Sequence, residues 1–118
     1  MSLIAELAAL EGVFAAGEYS YRGDRFSYKG QISEEHARMA SIMCRATTMG
    51  VHMQTDIMGG MHPECGVAPA GGWVVRGPQF TVCVMANVFC FLDNGKASLN
   101  AVMGKLRKHL ADAPQDLI

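Results

Sequence analysis

The sequence predicts an α+β domain, a five-stranded antiparallel sheet with helices on both faces, and three observations carry that expectation. Helical and strand periodicities alternate in the order helix, strand, strand, long helix, strand, strand, strand, helix. The runs Phe80 to Met85 and Val88 to Leu92 are apolar at nearly every position, which implies a sheet covered on both sides rather than wetted on one. Helices lie at both chain ends and in the middle, so two layers of helix are available to do the covering.

The 118 residues, half of them apolar, suit one domain spanning 1–118 with a real core. A net charge of -1, spread along the chain, gives no basic stripe for phosphates, so nucleic acid is not an expected partner. The longest apolar runs fall short of a bilayer span and the first residues lack a basic leader region, so no membrane association is expected. Four cysteines without a secretory signal read as reduced thiols, and the expected compartment is the cytoplasm.

Ser2 caps a short first helix running through Leu10, with Leu3, Leu7 and Leu10 on one side and Gly12 ending it. Val13 to Tyr19 and Arg25 to Lys29 form a strand pair, joined by a turn-rich segment with Tyr21, Arg22, Gly23 and Asp24. Ser33 then caps the long helix, and Glu34 and Glu35 complement the positive end of its dipole. Six of the nine methionines follow between Met39 and Met61. Met39, Ile42, Met43, Ala46, Met49, Met53 and Ile57 occupy an arc of roughly 120° on the helical wheel, the width of a packing stripe. Ala37, Ala40, Cys44 and Val51 form a second, mainly small-residue face about 100° to 160° away.

Gly59 to Gly72 holds five glycines and two prolines and reads as a long loop. Trp73 to Arg76 is the next strand, followed by the two doubly apolar runs. If Ala86 and Asn87 form a two-residue hairpin loop, Cys83 stands directly opposite Cys90. Asp93-Asn-Gly95 is a turn, and Ser98 caps a last helix whose Leu99, Val102, Met103, Leu106 and Leu110 make one stripe.

The succession resembles the roadblock family, the dynein light chains and their prokaryotic relatives. The residues that carry the likeness are Leu7-Ala-Ala-Leu-Glu-Gly-Val-Phe-Ala-Ala-Gly17, the Gly30-Gln-Ile-Ser33 lead-in to a methionine-rich second helix, and the hairpin before Leu99-Asn-Ala-Val-Met103. In detail the chain looks most like a small prokaryotic family of unknown function. The resemblance implies a profilin-like αββαβββα fold and a non-catalytic homodimer joined through the second helix and third strand. Such a protein acts as a scaffold or as a partner of small GTPases. On this chain the implied dimer surface is Ala37, Ala40, Cys44 and Val51 with Trp73 and Val75. The two-faced helix supports the dimer independently: one face suits the domain's own sheet and the other a second copy.

The chemical candidates are few. His52, His62 and Cys65 are ligand types for zinc, copper or iron, though no fourth ligand or Cys-x-x-Cys pair accompanies them, and no cofactor is expected. Cys65 with His62, or the Cys83 and Cys90 pair, is the basis of a competing expectation, a redox, metal or sulfur-handling accessory. The long loop is the place for a third, a small-ligand sensor. Asp93 to Ser98 suits an anion or a plain turn and cap. Glu34, Glu35 and His36 read as a helix start. Tyr19, Tyr21, Arg22, Arg25 and Tyr28 put aromatic and basic groups on the first hairpin, as exposed strands often do.

Overall fold

In the computed structural model, which describes residues 2–20, 22 and 24–110, the element order is the expected one. Helix α1 spans Leu3–Ala8, strand β1 Val13–Tyr19, β2 Phe26–Gly30 and helix α2 Glu34–Met61. A 3₁₀ turn covers Pro63–Cys65, followed by β3 Gly72–Arg76, β4 Phe80–Met85, β5 Val88–Asp93 and helix α3 Leu99–Leu110. The five strands form one antiparallel sheet in the order β2-β1-β5-β4-β3, which leaves β2 and β3 as its edges.

Helices lie on both faces of that sheet, which is why β4 and β5 are apolar on both sides along most of their length. Toward α1 and α3 point Val13, Ala16, Cys83, Val88, Cys90 and Leu92, meeting Ile4, Leu7, Val102 and Leu106. Toward α2 point Tyr19, Val84 and Phe89, meeting Ala40 and Cys44. The terminal helices are tied together by Glu6, whose carboxylate lies 3.6 Å from Lys105 Nζ and 4.0 Å from His109 Nε2. Gly17 lies opposite Phe89 across β1 and β5, and a Cβ there would collide with the Phe89 ring and the Ser27 carbonyl. That close approach is what only glycine permits.

The hairpin between β4 and β5 has the two-residue loop expected of it, with Met85 paired to Val88 and Cys83 to Cys90. Ala86 adopts φ 54 in that turn, the left-handed conformation such loops require. Asn87 Nδ2 donates to the Tyr19 carbonyl at 2.7 Å and fastens the turn to β1.

Element ends differ from expectation by a residue or two, save one. Helix α2 continues through Gly59 and Gly60 to Met61, its last turn closed by His62 N donating to the Met58 carbonyl. The following segment folds back on the helix, and a Cβ on Gly59 would sit 3.2 Å from the Ala68 methyl. Tertiary contact thus carries the helix through two poor helix formers, and the connecting loop shortens accordingly.

Candidate interaction surface

The side chains that bury α2 are Ala37, Ala40, Ser41, Cys44 and Thr48, one face at helical spacing made almost wholly of small residues. This reverses the roles expected of the two faces. Ala37 and Cys44 are fully buried against this chain's own sheet and Ala40 is nearly so, so they are not open to a second copy. Val51 is half-buried. The reason is volume: the sheet supplies the bulk, Tyr19, Phe89 and Trp73, and a helix that lies over large side chains must itself be small there.

Polar groups fix this contact. Thr48 Oγ1 accepts from the Trp73 indole Nε1 at 2.7 Å and lies 3.3 Å from the Tyr19 hydroxyl, which also reaches the Ala86 carbonyl at 3.5 Å. Ser41 Oγ donates to the Ala37 carbonyl one turn back. Trp73 therefore belongs to the intramolecular contact, with its indole N–H turned toward the helix. Tyr19, 2% exposed, is likewise core rather than a member of a recognition patch on the first hairpin. Arg22 and Arg25 are exposed, Tyr28 stacks with Phe26 at 6.3 Å, and Tyr21 lies outside the described residues.

The methionine arc points the other way. Met39, Ile42, Met43, Met49, Met53, Ile57, Met58 and Met61 are exposed, from 44% at Met49 to 79% at Met61. Below the helix, Val75 at 54% and Phe80 at 53% are open on the sheet. Phe80 packs edge-on to Phe14 at 5.3 Å, and Phe14 stacks with Phe91 at 5.9 Å. By strand alternation Val75, Phe80 and Phe91 fall on the same side as Trp73 and Phe89, the α2 side. The eight helix residues alone leave on the order of 800 Å² open, above the roughly 300–600 Å² of the largest apolar patch on a typical monomer. Charge is sparse along this face. The Glu35–Arg38 pair at 2.6 Å is exposed at the helix start, where the Arg38 guanidinium holds the Glu35 carboxyl below its usual range.

The residues singled out for metal do not converge. His52 is half-buried midway along α2, His62 caps the helix end with Nδ1 3.5 Å from Glu64 Oε1, and Cys65 is exposed in the 3₁₀ turn. Among the described residues no three His, Cys, Asp or Glu side chains form a group that could hold a metal ion. Cys83 and Cys90 do face each other, fully buried on the α1 and α3 side. Cys90 shares a thiol hydrogen bond with Cys83, and that bond together with burial raises the Cys90 pKa. Burial likewise pushes Cys44 up to about 12. The Asp93 segment is a turn and a cap: Asp93 Oδ1 accepts from Gly95 N at 2.9 Å, and Ser98 Oγ accepts from Ala101 N at 3.1 Å. An open cleft of about 580 Å³ beside it is lined by Gly12, Phe14, Gln31, Phe80, Asp93 and Lys96. At the start of α2, Ser33 Oγ accepts from His36 N at 3.0 Å.

Fold and surface together define a small α+β protein whose most distinctive feature is an uncovered apolar helix face. No helix among the described residues is long and apolar enough to cross a membrane. The chain belongs to a family of uncharacterized conserved proteins, DUF2173, whose model matches residues 3–108. No curated protein matches it in sequence.

Proposed function

We propose that the protein is a non-catalytic homodimer of roadblock type, a cytoplasmic association module whose two copies meet through the methionine face of α2 and the β3 edge. The supporting observation is the size and character of that face. Its roughly 800 Å² is about what each partner contributes to a standard stable interface, and a patch of this kind is costly to leave in water. A second copy fits because methionine and isoleucine dominate the surface and a two-fold contact needs only self-complementarity. The open edge of β3, with Val75 exposed beside it, offers unpaired backbone groups to the same neighbour. The surface differs from the one the resemblance suggested on α2: methionine and isoleucine replace Ala37, Ala40 and Cys44, while Val75 remains. A small GTPase or another cytoplasmic protein would then dock on the assembled dimer.

Sedimentation of the purified protein across roughly 1–100 μM tests this, a range that brackets the Kd of weak to moderate homodimers. The expected result is a dimer that Val75→Lys weakens at the strand edge. A monomer throughout that range overturns the reading.

A further inference from the structure

The exposed face of α2 is built from thioethers where leucine would pack as well, and this gives it a chemistry that aliphatic faces lack. We propose that the methionine face is a modification site: oxidation of its methionines to sulfoxides by hydrogen peroxide dissociates the dimer, and reduction restores it. The inference rests on the dimer reading above and adds its regulation.

The structure separates the eight methionines among the described residues into two classes. Met39, Met43, Met49, Met53, Met58 and Met61 all lie on α2 and are all exposed in the single chain. Met85 and Met103 are packed against the buried cluster between the sheet and the terminal helices. Susceptibility of a thioether follows access, so the α2 set reacts first and the core pair late. The step balances simply. The sulfur lone pair attacks one peroxide oxygen, the O–O bond breaks, an S=O bond forms and water leaves; sulfur is oxidised by two electrons and peroxide reduced by two. Reversal takes two electrons from a dithiol, which becomes a disulfide as the oxygen departs as water.

The product is a flexible apolar side chain turned into a polar, chiral one. On the free chain it sits in water at little cost, because the α2 methionines are about half or more exposed and belong to neither buried cluster of the monomer. In the dimer each sulfoxide would need a hydrogen-bond donor, and a face of Met, Ile and Ala side chains has few to give. Peroxide therefore acts on the dissociated protomer and traps it there, weakening association by about tenfold or more for each sulfoxide left without a partner. Folding is untouched, since the helix is anchored by Ala37, Ala40, Cys44 and Thr48 on its other side.

The test uses Cys65→Ser protein, which removes the exposed thiol that peroxide would also attack. Samples treated with graded peroxide are followed by peptide mass spectrometry, circular dichroism and sedimentation. The expected result is an added oxygen on the α2 methionines ahead of Met85 and Met103, an unchanged helical spectrum and a shift to monomer. Methionine sulfoxide reductases with dithiothreitol should return the dimer. Protein carrying Met43→Leu, Met49→Leu and Met53→Leu should need a higher peroxide dose to dissociate. A dimer that persists with these methionines oxidised overturns the inference but leaves the dimer intact, as does a triple variant that dissociates as readily. An untreated monomer overturns both.

Discussion

Replacing Cys44 and Met53 with arginine, one at a time, distinguishes the two faces of α2, because the same charge meets opposite surroundings about 14 Å apart along a helix of 1.5 Å rise per residue. Cys44 is fully buried between α2 and the sheet. A guanidinium there has no anionic partner among the Tyr19, Val84 and Phe89 side chains it would enter. Desolvation costs several kcal/mol and overpacking about 1–3 kcal/mol more. That sum reaches the lower end of the roughly 5–15 kcal/mol that hold a domain together, so Cys44→Arg should unfold the chain or lower Tm by roughly 20 °C. Met53 is 66% exposed, and Met53→Arg should leave monomer stability within about 0.5 kcal/mol. If the face is a two-fold interface, the change enters it twice. Losing burial of two-thirds of a methionine per copy, at about 1.5–3 kcal/mol for a whole side chain, amounts to roughly 2–4 kcal/mol, or thirtyfold to several hundredfold in Kd. Circular dichroism and sedimentation read the two effects separately. A Cys44→Arg protein that melts like the parent but sediments as a monomer would refute the argument and return the interface to the small-residue face.

Two further expectations follow from the core. Thr48→Val keeps the shape of the side chain but removes the acceptor for the Trp73 indole, and should cost about 2 kcal/mol in urea unfolding while shifting the emission of the single tryptophan. Thr48→Ser should cost less than about 1 kcal/mol; equal stability of the valine variant and the parent would show that the hydrogen bond contributes nothing. The buried thiols predict a pH dependence. Cys44, at about 12 when folded against 9.0 ordinarily, keeps its proton where the unfolded chain has lost it. Its contribution is complete below pH 9 and is lost between about 9 and 12, with a slope near 1.4 kcal/mol per pH unit, and Cys90 acts in the same direction. Urea midpoints at pH 8 and 10 check the sign, and Cys44→Ala should flatten the slope. In the folded protein a thiol alkylating reagent should label Cys65 and spare the other three.

The fold was readable because its signals are local and redundant. Ser2, Ser33 and Ser98 mark helix starts, the two-residue loop dictates that Cys83 meets Cys90, and doubly apolar strands demand two covering layers. The end of α2 was not readable, since two poor helix formers, Gly59 and Gly60, continue the helix where the chain returns past Gly59 at Ala68. The surface was legible as two faces on one helix, but not which of them turns inward. A helical wheel records polarity, whereas the choice depends on the volume of the strands beneath. The useful signal lay elsewhere in the chain: Tyr19, Trp73 and Phe89 on strand positions facing α2 require small residues opposite, and Thr48 on the buried face of the helix offers the indole an acceptor.

The second half of α2 has an energetic character of its own. Every buried residue of the helix lies at or before Thr48, so the thirteen residues from Met49 to Met61 run on for about 20 Å past the last of them. Gly50 and Gly60 in that stretch have open space where a side chain would be, and each lowers helix propensity by about 1 kcal/mol relative to alanine. Such a segment draws little from the sheet, so its amides should exchange with solvent faster than those of the half up to Thr48 while the helix itself persists.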